Sequence, residues 1–178
     1  MARVEGQRLP TAPQVAKPRV GMLAVMQDLY DEMLPGITER QGAYAEQVAA
    51  ALAEVATVDV GAPVKDRDDI ERRVRELESS DVDGLLVVML TYGPAMRVAR
   101  ALARTPLPIC LANIQPVPAV TPEWDMGDLT YNQGIHGAQD TANAMVRADR
   151  PFHVVTGDWN SDVFTTEVTS WALAAAAV

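Results

Sequence analysis

An α/β fold built on a doubly wound, five-stranded parallel sheet is what this sequence predicts, and two observations predict it. Five short apolar runs alternate with five helix-like stretches along the chain, the order that produces parallel strands joined by right-handed helical crossovers. The middle run, "DGLLVVML" (Asp83 to Leu90), is apolar without a break, as a central strand covered on both faces should be.

The elements follow in order. "RVGMLAVM" (Arg19 to Met26) is the first strand, followed by a helix from about Gly36 to Glu54. There Ile37, Tyr44, Val48, Leu52 and Val55 recur at three- and four-residue spacing and mark one apolar face. "ATVDV" (Ala56 to Val60) is the second strand. Its helix runs from about Asp66 to Ser79, with Ile70, Val74 and Leu77 turned inward. After the third strand a helix over Pro94 to Arg104 takes proline in its first turn, where the missing N–H costs nothing. "PLPICLAN" is the fourth strand. The stretch from Ile114 to Ile135 reads as a loop, long enough to suggest function. A helix from about Gly137 to Arg147 leads to the fifth strand, "PFHVVTG". The last helix starts near Ser161 and aligns Phe164, Val168, Trp171 and Ala175. The expected sheet is flavodoxin-like, order 2-1-3-4-5, with helices on both faces, in a single domain over residues 19–178. Residues 1–18, charged and holding three prolines, read as a flexible arm without a secretory core.

Composition narrows the function. With 15 Lys and Arg against 24 Asp and Glu, the net charge is −9, which argues against a nucleic-acid partner, since phosphate binding needs clustered cations. The alternating signs of "ERRVRELE" (Glu71 to Glu78) suit a solvated helix face. No apolar run approaches the roughly 18–20 residues of a membrane helix. The one cysteine, Cys110, lies in the apolar run "PICLA" and reads as core; no intrachain disulfide is possible, in keeping with a cytoplasmic setting.

Ligands of open parallel sheets bind beyond the carboxyl ends of the strands. Those ends read "QDLYDEM", "TYGPAM", "NIQPVPAVTPEWDMGDLTYNQGIHG" and "GDWNSD", rich in amide, hydroxyl and aromatic groups that hydrogen-bond and stack against a sugar. The common phosphate cradles are missing: no GxGxxG follows the first strand and no GxxxxGK[ST] occurs. Leu90, Thr91 and Tyr92 stand where a receiver domain would carry an aspartate. There is no GxSxG elbow and no HxxxH-type metal spacing. Of the two histidines, His153 lies within a strand and reads as a core or edge residue. His136, flanked by Gly134 and Gly137, reads from its position first as a helix-starting residue and second as a ligand contact.

Four segments in order carry a family resemblance: "MQDLYDEML", "DGLLVVMLTYGPAM", "YNQGIHGAQD", and "VVTGDWNSD" followed by "SWALAA". Over Val20 to Ala177 the chain resembles the N-terminal domain of L-arabinose isomerase, within the L-fucose/L-arabinose isomerase family. The resemblance implies an aldose–ketose isomerase acting on L-arabinose and L-ribulose or a related pair. It implies a divalent metal, typically Mn²⁺, with two glutamates moving protons and two histidines completing the metal site. Those residues belong to later domains, so no catalytic residue and no metal ligand is expected in this chain, and no turnover from it alone. By motif match Gln27, Leu29 and Tyr30 would line the sugar after the first strand. Tyr92 would stand where the arabinose enzymes usually have Phe. Gln133 and His136 would reach the active site of a neighbouring subunit in a homo-oligomer, His136 by an imidazole hydrogen bond to a sugar hydroxyl. "GIHGAQD", in place of the usual "HGxREFG", leaves the sugar open. The alternative reading is a stand-alone, non-catalytic sugar-binding or assembly module.

Overall fold

The computed structural model describes residues 16–178. Most of the expected arm therefore lies outside the described residues. Its last two residues lie against the domain: Lys17 Nζ donates to the Ala53 carbonyl at 2.9 Å, and the Pro18 carbonyl accepts from Thr57 N–H at 2.8 Å.

Five strands form one all-parallel sheet: β1 (Arg19–Val25), β2 (Thr57–Asp59), β3 (Gly84–Met89), β4 (Ile109–Asn113) and β5 (His153–Thr156). Their order is β2-β1-β3-β4-β5, as the alternation predicts. Every residue of β3 is buried, in keeping with its unbroken apolar run. Successive side chains of β3 point to opposite faces, and so feed two cores. Leu86 and Val88 join Tyr44, Val48, Phe164, Val168 and Trp171 of α2 (Ile37–Ala51) and α7 (Asp162–Ala175). Leu85, Val87 and Met89 join Ile70, Val74 and Leu77 of α3 (Arg67–Ser79), Val98 and Leu102 of α4 (Ala95–Arg104), and Met145 of α6 (Gly134–Arg147). The predicted apolar faces hold, except that Val55 lies beyond α2 and is only partly buried.

Other expectations separate at the level of single residues. Cys110 is fully buried, and burial pushes its thiol up to about 12, so it packs as a small apolar group. His153 is exposed on edge strand β5, its Nε2 3.8 Å from Glu167 Oε2. On α3, Arg72 and Arg75 form i,i+3 and i,i+4 pairs with their own helix and face solvent, as alternating charge predicts. Arg73 departs from that pattern. Its side chain is 12% exposed, and Nη2 reaches Asp59 Oδ1 at 2.7 Å, tying α3 to the end of β2.

Two helices escaped the apolar pattern because neither has an apolar stripe to show. Helix α1 (Leu29–Met33) buries no residue fully, and its N-cap carboxylate, Asp28, accepts from Leu29 N–H. Helix α5 (Met126–Tyr131) interrupts the expected loop. Asp125 accepts from Gly127 and Asp128 N–H while Asp128 accepts from Asp125 N–H, a reciprocal cap that stabilises a single turn. Helix α6 also starts three residues before the expected Gly137. No helix among the described residues is long and apolar enough to cross a membrane.

Candidate functional site

The chain turns opposite ways from β1 and β3, so the crevice between their carboxyl ends is the switch point of the sheet. Backbone bonds fix its floor. Leu90 N–H donates to the Val25 carbonyl at 2.7 Å and Met26 N–H to the Val64 carbonyl at 3.0 Å. Gln27 N–H then donates to Thr91 Oγ1 at 3.3 Å, joining the residues that leave the two strands. The Gln27 side-chain carbonyl is buried and accepts from no protein donor. A buried amide oxygen of this kind forfeits hydration unless a ligand hydroxyl or water donates to it.

Across the crevice, Gln133 precedes α6, and its Nε2 donates to the Tyr30 hydroxyl at 3.1 Å. Burial raises the Tyr30 pKa first of all; the Gln133 amide lowers it in part, and the neighbouring Tyr92 phenol raises it again. The phenol therefore stays protonated at neutral pH. With its oxygen accepting from Gln133, its O–H is directed at some other acceptor. Two of the predicted residues, Tyr30 and Gln133, are thus bonded to each other, with Gln27 at the floor.

The glycines of "NQGIHG" explain why α6 begins where it does. A Cβ on Gly134 would lie 2.0 Å from the Met89 carbonyl oxygen at the end of β3. On Gly137 it would meet Met89 Cε at 2.8 Å and Gly93 N at 3.2 Å. Three residues apart, both face the sheet and let the helix backbone close onto it. His136 stands about 200° round from Gly134, at ~100° per residue, and points away from that contact. It is exposed on the first turn of α6. His136 is thus the third residue of α6, and its side chain faces away from the sheet.

The six residues do not share one cleft. Gln27 and Leu29 line a groove of about 390 Å³ with Asp28, Glu32 and Arg97. Tyr92 lines a second groove, about 520 Å³, between α4 and α6. His136 lines neither. Sequence reasoning passed over several residues that hold this rim. Asp140, within the "GIHGAQD" stretch, accepts from Ala95 N–H at 3.0 Å and caps α4 from α6. Asn132 exchanges two bonds with Val117, Oδ1 accepting at 3.0 Å and Nδ2 donating at 3.1 Å, and so pins the long connection like a strand partner. No spacing rule joins residues fifteen positions apart in a loop.

Among the described residues, no group of three or more His, Cys, Asp or Glu side chains is placed to hold a metal ion. His136 and His153 sit on α6 and on edge strand β5, and neither gathers carboxylates on both sides. A Mn²⁺ centre does not fit this donor set.

By class, then, this is a flavodoxin-like parallel α/β domain whose strand ends carry amide, phenol and imidazole groups. A model of the L-arabinose isomerase N-terminal domain matches residues 14–178, and the chain belongs to that family. No curated protein matches it. Among solved structures it is similar to a transcriptional regulator CelR–cellobiose complex at 15% identity and a TM-score of 0.33, covering 92% of this chain. The chain spans 58% of the length of that one.

Proposed function

We propose that this chain is the substrate-contacting domain of an aldose–ketose isomerase acting on L-arabinose or a related sugar. The family match over residues 14–178 is the observation that carries this reading. The strand-end chemistry supports it. Gln27 offers a buried acceptor, Tyr30 a protonated phenol, and Tyr92 an aromatic face, a set suited to hydroxyls that both donate and accept. Leu29 adds apolar surface. Gln133 orients Tyr30, and His136, projecting from α6, contacts sugar in the pocket of a neighbouring copy within a cytoplasmic homo-oligomer. The division of labour that follows is one of binding and orientation here, with proton transfer elsewhere. A bound Mn²⁺ would need ligands other than the described residues and would supply Lewis acidity to the sugar oxygens.

The test joins this chain to the metal-binding domains of an isomerase of the family and assays Mn²⁺-dependent ketose formation. His136→Ala is expected to lower kcat/KM at least tenfold, about the ~1.4 kcal/mol of one lost hydrogen bond. Undiminished turnover in that variant would remove the assigned contact. Saturable heat when sugar is titrated into the isolated chain without metal favours the stand-alone binding module instead, which the gathering of Gln27, Tyr30 and Gln133 within one chain would permit.

A further inference from the structure

Helix α1 carries Leu29 and Tyr30, yet none of its five residues is fully buried. Helices this short are unstable in water by themselves, so something outside the helix must fix it. Tyr30 and the cap residue Leu34 pack partly against the core, and the remaining attachments are polar. Arg97, reaching from α4, donates from Nη1 to Asp28 Oδ1 at 2.9 Å and to the Lys65 carbonyl at 2.7 Å. Lys65 Nζ in turn pairs with Asp31, whose other carboxylate oxygen accepts from Thr38 Oγ1 in the first turn of α2. Helix α1 is thereby tied to α4, to the segment before α3 and to α2.

These cations differ from the surface charges on α3. The Lys65 and Arg97 side chains are 24% and 29% exposed, against 57% and 65% for Arg72 and Arg75. Their carboxylate partners, Asp28 and Asp31, are 58% and 38% exposed, so both pairs stay open to screening by salt, while a guanidinium making two bonds fixes direction as well as distance. Arg97 also lines the groove shared by Gln27 and Leu29.

We propose that Arg97 and Lys65 are positioning residues for the strand-end cluster: through Asp28 and Asp31 they hold α1 so that Leu29 and Tyr30 face the crevice. The sugar-contact role of Leu29 and Tyr30 rests on the functional reading above; the latch itself does not.

Amide hydrogen exchange on the 178-residue chain tests the latch. Asp31 N–H bonds the Asp28 carbonyl at 3.0 Å and Leu34 N–H bonds the Tyr30 carbonyl at 2.8 Å, so these two amides report on α1. In Arg97→Met, which keeps the aliphatic stem and removes the charge, both should exchange about tenfold faster, with amides of α6 and β3 within about twofold of wild type. Lys65→Met should act in the same direction. Arg97→Lys should restore part of the protection, because it keeps the charge and loses the planar guanidinium. Wild-type rates in both methionine variants would overturn the proposal. Should either variant fail to fold, about 1 M NaCl on the wild-type chain gives the same readout by screening. Salt that leaves the α1 amides unchanged would equally overturn it. In the chain joined to metal-binding domains, Arg97→Met should raise KM for the aldose more than it lowers kcat, with partial rescue by Arg97→Lys. An exchange effect without any sugar turnover leaves the latch standing and removes only the functional reading.

Discussion

Helices α1 and α6 both bring residues to the strand-end cluster, and they are fixed there by opposite means. Helix α6 sits on the sheet by shape: Gly134 and Gly137 admit its backbone to the end of β3, and Ala138, Thr141 and Met145 are buried behind them. Helix α1 sits on the rim by charge, with no residue fully buried and two carboxylates paired to cations from other elements. Close packing is stiff and indifferent to salt, whereas ion pairs near the surface respond to pH and ionic strength. The Tyr30–Gln133 bond therefore joins a rigid half of the cluster to an adjustable one.

That contrast can be broken most severely at Gly134. A methyl group there meets a backbone carbonyl oxygen and has no side chain to push aside, so Gly134→Ala is expected to destabilise by about 3 kcal/mol. Better helix propensity returns less than ~1 kcal/mol of this. Denaturant unfolding measures the loss; an unchanged midpoint would mean that α6 is not seated on β3 as described. The bond between the halves is worth less. Tyr30→Phe deletes one hydrogen bond to a partly buried amide and should cost about 1 kcal/mol by the same measurement. The smallest effect is on α1 alone and comes with acid. Arg97 holds the Asp28 carboxyl below its ordinary 3.8, and Lys65 with Thr38 does the same for Asp31. Docked α1 thus binds fewer protons than free α1. The docking contribution is complete above pH ~4 and is lost as pH falls through the depressed values. Exchange of the α1 amides, corrected for intrinsic rates, should rise severalfold on acidification below pH ~4 while α6 stays protected. Equal responses from the two helices would erase the comparison.

The same contrast explains which features the sequence disclosed. Sheet order, the two cores and the buried faces of α2, α3 and α7 were legible because apolar periodicity records burial directly. Helices α1 and α5 were not legible, since each is held by carboxylates at caps and pairs, and an aspartate in a polar run looks the same whether it caps or merely hydrates. Gly134 misled in a different way. Glycine beside a polar run reads as a boundary, yet here its missing side chain makes room inside the helix for Met89. The strand-end position of Gln27, Tyr30, Tyr92 and Gln133 followed from topology, because each comes just after a strand or just before the helix that follows it. The pairing of Tyr30 with Gln133, and of Arg97 with Asp28, did not. Those partners lie 103 and 69 residues apart and meet only through the fold.

The 103-residue separation of Tyr30 and Gln133 also sets when the cluster comes into being during synthesis. A ribosome joins Tyr30 early, but its partner is added only 103 residues later. By then the pairings of β1 with β2 and β3, and of β3 with β4, have all their residues in hand. The entropic cost of closing so long a loop grows only logarithmically with its length, so the bond waits on chain length more than on energy. A nascent chain halted just short of Gln133 would own most of a sheet and still lack the bond that ties α1 to the start of α6.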